Sequence, residues 1–196
     1  LSGQEDIVVG TVTAGRIHAD LQDTVGLFVN TLALRNYPTG SKTFRKFLID
    51  VHQRNLKAFE NQDYQFEELV EQVVQQREVG RNPLFDAAFG MQDIQIPKLE
   101  IPGVTLTPAQ SKDNISKFDI TWYGIEAGDR LQFAVMYRTE LFKPATIQRF
   151  IDYFREIVSI VTNHPDIRLE DIAISHDFFD QELAIPDQEE SDFGFE

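Results

Sequence analysis

Apolar and polar positions alternate in two different periods along this chain, and the changes of period mark its elements. Residues 44–61 (FRKFLIDVHQRNLKAFEN) place Phe44, Phe47, Leu48 and Val51 on one face, with Phe59 continuing it two turns later. That is the spacing of a helix packed on one side, and Thr43 stands where an N-cap belongs. A second helix is predicted over 66–76, where Phe66, Leu69, Val70, Val73 and Val74 fall at i, i+3, i+4, i+7 and i+8. A third opens at Pro144, suited to the first helical position, and ends at Asn163-His164-Pro165. Its stripe runs Ile147, Phe150, Ile151, Phe154, Ile157, Val158 and Val161.

The remaining apolar runs are short and read as strands: 7–12 (IVVGTV), 28–35, 84–92 (LFDAAFGMQ), the weaker 104–109, 118–125 (FDITWYGI) and 131–138 (LQFAVMYR). Asn82-Pro83 forces extended entry into 84–92. EAGDR, between the last two strands, is the strongest hairpin signal in the chain. NYPTGS (36–41) is a clear breaker, and AGRIHADLQD is a connector of uncertain shape. The order ββααββββα predicts an α+β domain, a mixed β-sheet with helices packed on it.

One position breaks the apolar pattern. In GLFVNTLALR (26–35), Asn30 interrupts a run that includes Phe28, Val29, Leu32 and Leu34. An amide buried there without partners would cost about 1–3 kcal/mol. A cap on a nearby backbone group is one reading. A polar group facing a wet cavity is the other.

Charge narrows the partners. Eighteen Lys and Arg stand against 32 Asp and Glu, a formal charge of −14. Residues 177–196 carry eight of those acids and no base, which leaves an ordinary surface on the rest. A basic footprint for nucleic acid is missing. The acidic end reads as a linker or disordered tail, giving a boundary near 176–177. No run reaches the length of a membrane span, and no signal pattern opens the chain. The absence of Cys removes thiol chemistry and fits a reducing, cytoplasmic setting. The start at LSGQED, with no Met, suggests a segment of something longer.

Chemistry-bearing patterns are sparse. His18, His52, His164 and His176 are scattered, with no metal-ligand spacing. His164 suits a helix C-terminus. There is no GxSxG, P-loop or GxGxxG, and pairs such as Glu67-Glu68 and Glu189-Glu190 read as exposed. No complete catalytic constellation is present in this chain.

Three stretches taken together carry a resemblance: TVGLFVNTLALR (24–35), FENQDYQFEELVEQV (59–73) and REVGRNPLFDAAFGMQD (77–93). In order and spacing they resemble the C-terminal half of the condensation domain of nonribosomal peptide synthetases. DIVVGTVTAGR (6–16) and SKFDITWYG (116–124) resemble that family too, so the likeness covers about residues 3–175.

The resemblance implies a chloramphenicol acetyltransferase-like lobe, one of two arranged around a tunnel. It implies peptide-bond formation between aminoacyl or peptidyl thioesters held on carrier proteins. The family's His-His-x-x-x-Asp-Gly motif belongs to the N-terminal lobe and has no counterpart here, so this chain alone is expected to be inactive. It would supply tunnel wall and carrier docking surface. The implied partners are the N-terminal lobe of the same domain, peptidyl carrier proteins bearing phosphopantetheine, and a neighbouring adenylation domain. No cofactor is expected to bind directly, and neither a metal, a nucleic acid nor a membrane is implied.

Asn30 and Arg35 would lie at the substrate tunnel or lobe interface, against the alternatives of a local cap and a solvated strand end. Lys117 and Asp119, read as sharing a strand face, are either a pair at the lobe cleft or an ordinary surface pair. Asn82, Pro83 and Phe85 read as structural: a turn cap, a strand entry and a core side chain. Two rival functions stay open, an epimerisation domain and a noncatalytic module that docks carrier proteins. GLFVNT and RNPLFD resemble the condensing branch more closely.

Overall fold

The structure, a computed structural model, describes residues 3–74, 80–92 and 116–174. Among the described residues five strands form one sheet: β1 (Ile7–Thr13), β2 (Asn30–Asn36), β3 (Ala87–Gln92), β4 (Ile120–Ala127) and β5 (Arg130–Tyr137). Their order is β2-β1-β3-β4-β5. β2 pairs antiparallel with β1, and β5 with β4, while β1–β3 and β3–β4 are parallel. The sheet is therefore mixed. Each antiparallel pair is local in sequence, and each parallel one requires a long crossover.

The β4–β5 hairpin turns on Gly128 and Asp129, since Ala127 pairs with Arg130. Gly128 has φ +66°, and no residue other than glycine has a positive φ among those described. A glycine at the first central position matches the strands' right-handed twist.

Three α-helices among the described residues pack on this sheet: α1 (Phe44–Glu60), α2 (Phe66–Val73) and α3 (Pro144–Asn163). The Thr43 hydroxyl accepts from Lys46 N at 3.3 Å, as an N-cap should. Two more donors at the start of α1 are met by the segment after α3: Phe44 N donates to Ile167 O and Arg45 N to Pro165 O, both at 2.8 Å. The last helix is thereby tied to the first.

Trp122 of β4 and Phe133 of β5 pack on Phe154 of α3, with ring centroids 5.0 and 5.1 Å apart. Gly10, Ala88 and Thr121 lie side by side in register, one residue out of step with Trp122, and so face the other way. On that opposite face Phe85 is buried, beside buried Ala88 and Thr121.

Several sequence expectations shift. The second helix ends at Val73, where Val74 turns to extended backbone. β3 starts at Ala87 instead of Leu84. Lys117 and Asp119 precede β4 rather than sharing its face, because pairing begins at Ile120. The weak strand at 104–109, the acidic tail, His176 and Glu189-Glu190 lie outside the described residues.

Candidate functional site

The five stretches that carry the family resemblance meet in space. Asn30, the first residue of β2, donates through Nδ2 to Gln62 O at 2.7 Å and to Tyr64 O at 2.9 Å. Its Oδ1 accepts from Thr31 N at 2.8 Å and from Phe66 N at 3.4 Å. Both amide hydrogens and both oxygen lone pairs are thus engaged by backbone of this same chain. Phe66 opens α2, and its N-cap residue Gln65 makes no side-chain cap bond. Asn30 fills that role from 36 residues away. Thr13, opposite Asn30 in the β1–β2 ladder, donates its hydroxyl to Gln62 Oε1.

From Phe66 the cluster continues through aromatic rings. Phe66 lies 5.7 Å from Phe85, and Phe85 5.2 Å from Phe118, centroid to centroid. The Phe85 ring covers Gly10 so closely that a Cβ there would sit 1.9 Å from it. Gly10, Asn30, Phe66, Phe85 and Phe118 come one from each of the five stretches. They hold one another together.

Arg35 sits at the far end of β2, five residues or about 17 Å from Asn30 at strand rise. It grips Asp6 with two parallel bonds, Nε to Oδ1 at 2.8 Å and Nη2 to Oδ2 at 2.6 Å. That fork holds the Asp6 carboxyl below its usual range and raises the Arg35 guanidinium pKa, with the side-chain hydrogen bond as the main cause of each. Arg35 and Arg54 also lie over the Tyr37 ring, at 5.5 and 4.6 Å. Arg35 and Pro83 line one cavity of about 640 Å³ between the β1–β2 pair and α2, together with Asp6, Val8 and Leu69.

The other expected site residues form a separate group. Asn82 Nδ2 donates to Lys117 O at 3.3 Å, linking the turn before β3 to the segment before β4. Asp119 pairs with Arg138 at 3.2 Å, across the β4–β5 hairpin, and not with Lys117. Asp86, beside them, takes Arg81 on Oδ2 at 2.7 Å, and its buried Oδ1 has no hydrogen-bond partner among the described residues. No group of His, Asp and Glu suited to a metal occurs among the described residues. No described helix is long and apolar enough to cross a membrane.

Sequence reasoning missed two features. Gln62 and Tyr64 act through their carbonyls, which no side-chain pattern reveals. Arg16 braces the connector before β2 from inside, donating through Nη1 to Leu21 O and to Thr24 O, and the only signal for it was the Gly15-Arg16 pair at the start of that connector.

The model of the condensation domain family matches residues 1–184. The chain is 46% identical over 177 residues to bacitracin synthase 3 of Bacillus licheniformis, covering 90% of this chain and 3% of that protein. It is 45% identical over 173 residues to gramicidin S synthase 2 of Brevibacillus brevis, covering 87% of this chain and 4% of that protein. The chain thus spans only a few hundredths of the length of these relatives. Among solved structures, a four-domain nonribosomal peptide synthetase bound to AMP and glycine superposes with a TM-score of 0.77 at 22% identity, over 90% of this chain and 15% of that one. The X-domain from teicoplanin biosynthesis superposes with a TM-score of 0.75 at 19% identity, over 89% of this chain and 40% of that one.

Proposed function

Because this chain belongs to the condensation-domain family, we propose that it is the C-terminal lobe of a domain that joins carrier-bound aminoacyl or peptidyl thioesters. The observation that carries the reading is the identity of about 45% to peptide antibiotic synthases, running across nearly nine-tenths of the chain. The share of isolated single domains that it covers, 40% of the teicoplanin X-domain, supports one lobe of two.

In the proposed reaction the donor's thioester carbonyl is attacked by the acceptor's amine. A C–N bond forms, the C–S bond breaks, and the amine's proton leaves as the carrier's thiol is released. Such a step needs proximity and oriented dipoles more than a cofactor. The phosphopantetheine arms would arrive on carrier proteins, with an adenylation domain as neighbour in the chain. Asn30, its amide engaged by backbone, would serve the tunnel by fixing the shape of its wall. Arg35, with Asp6, would stand at the mouth of the cavity beside Pro83. Lys117 and Asp119 would border the cleft at the start of β4.

The test is a condensation assay on two loaded carrier proteins, read as dipeptidyl carrier by mass spectrometry. The intact two-lobed domain should form the dipeptide, and the 196-residue chain alone should not. Product from the chain alone would overturn the lobe assignment. An intact domain that exchanges the donor's α-proton for deuterium and forms no amide would favour epimerisation instead.

A further inference from the structure

The two edges of the sheet are unequal. β2 has one exposed residue, Arg35, whereas six of the eight residues of β5 are exposed. β5 pairs with β4 without a bulge, from Ile120–Tyr137 to Ala127–Arg130, and it carries neither Pro nor Lys. Long flat edges are normally blunted by such features or covered, because their backbone groups invite another strand. Arg138 N donates to Asp119 O at 3.0 Å, one rung beyond Ile120–Tyr137. Bonded rungs alternate, so Gln132, Ala134 and Met136 also turn their backbone groups to β4. Leu131, Phe133 and Val135 turn theirs to the open side.

A groove of about 1040 Å³ lies between β5 and α3, walled by Trp122, Leu131, Phe133, Ile151, Phe154 and Val158, with Arg155 beside them. Leu131 is 60% exposed, Val158 40% and Phe133 39%. Gln132 lines the groove too, although its side chain alternates to the other face of the sheet, so the groove reaches the β5 backbone. A cavity of roughly 150 Å³ holds one benzene ring, so there is room for more than one aromatic side chain.

An occupant that uses both features must be extended and alternate apolar with polar residues. It must also carry acid, to meet Arg155 at the groove and Arg130 on the other face of β5. Residues 192–196 (DFGFE) have all of this: Phe193 and Phe195 alternate with Asp192, Gly194 and Glu196. They belong to the stretch 177–196, with eight acids and no base, outside the described residues. From Ile174, the last described residue, to Asp192 an extended chain reaches about 60 Å. A domain of this length is roughly 40 Å across, so reach is not limiting.

We propose that residues 192–196 add to β5 as a sixth strand, with Phe193 and Phe195 in the groove beside α3 and Asp192 and Glu196 on the Arg130 face. The mode is strand addition, in which backbone bonds give affinity and alternate side chains give specificity. The acidic stretch thereby covers the open edge of its own sheet.

Hydrogen exchange, read residue by residue by mass spectrometry on the intact two-lobed domain carried through to Glu196, tests this. The amides of 193–196 should exchange at least about tenfold more slowly than in the free peptide SDFGFE. The double variant Phe193→Ser, Phe195→Ser changes no described residue, so the sheet still folds. It should return the tail to the free-peptide rate and speed exchange at Leu131, Phe133 and Val135 at least about tenfold, while Gln132, Ala134 and Met136, bonded to β4, stay unchanged. Arg130→Glu should move the same amides in the same direction by a smaller factor. Tail amides at the free-peptide rate in the parent would overturn the proposal, as would β5 amides indifferent to the double variant. Protection that fades on dilution would put the tail on a second copy and overturn the intramolecular assignment. The readout needs no turnover, so its outcome is independent of the condensation reading.

Discussion

The side-chain amide of Asn30 and the backbone carbonyl of Tyr64, 34 residues apart, meet at 2.9 Å and fix the start of β2 to the turn that opens α2. Through this contact and its neighbours, a strand end, a helix–helix turn and a helix N-terminus share one polar centre. Next to it, Phe66 leads into the rings of Phe85 and Phe118.

Asn30→Ala should therefore lower stability by about 1–2 kcal/mol, since two carbonyls and the Thr31 and Phe66 N–H groups lose this partner at a half-buried site. Asn30→Asp should cost at least as much, because a carboxylate would face the Gln62 and Tyr64 carbonyls with no hydrogen to offer. Urea denaturation of the three proteins checks both. An Asn30→Ala midpoint equal to the parent's would show that water replaces the amide without loss.

Gly10→Ala should destabilise by about 1–3 kcal/mol through overpacking, because the new methyl would enter the space of the Phe85 ring. Combining it with Phe85→Leu should recover part of the loss. A double-mutant cycle measures that coupling directly, and additive effects would place the strain elsewhere.

Phe154→Ala removes the ring that Trp122 and Phe133 share and should cost about 2–4 kcal/mol. Trp122 is the single tryptophan of the chain, so its emission reports the change without labelling. A red shift together with a lower unfolding midpoint is the expected result. An unmoved spectrum would mean that α3 does not cover β4 as described.

Asp50 gives a pH prediction. Hydrogen bonds from Lys42 and then Lys46 hold its carboxyl below the usual 3.8. A depressed folded-state pKa stabilises the protein above the unfolded-state value, and that contribution is lost as pH falls through the folded-state value. Asp50→Asn should then be less stable than the parent at pH 7, with the gap closing as pH falls below the usual 3.8 and on through the depressed folded-state value. Urea midpoints at pH 7 and pH 3 provide the comparison. An equal gap at both would rule out the carboxylate's charge as the cause. Asp6 and Asp166 are depressed in the same way by Arg35 and Arg45, so the whole chain should lose stability in that range.

Much of the fold was legible because its signals are local. The stripe from Ile147 to Val161, with Pro144 at its start, marked α3, and Thr43 marked the start of α1. EAGDR marked a hairpin whose turn falls on Gly128 and Asp129. Asn82, Pro83 and Phe85 read as structural positions, and the geometry around them is a turn bond to Lys117 O and a buried ring. The α2 end and the Lys117–Asp119 placement were less legible, because strand and helix limits depend on which backbone groups find partners in another segment. Asp119, one residue before β4, pairs with Arg138 from across the hairpin.

The sequence by itself determined the α+β class, most of the strands and helices, and the family, because periodicity, turn residues and ordered motifs are all written in neighbouring positions. It also posed the question of Asn30, since an amide inside an apolar run is visible in any window. Only the tertiary structure decided where that amide goes, that Arg16 braces its own loop, and that five separated stretches form one cluster. Those outcomes turn on hydrogen bonds to backbone carbonyls and on the reach of rings across tens of residues. A carbonyl carries no signature in the sequence, and which one a side chain meets is fixed only when the chain has closed on itself.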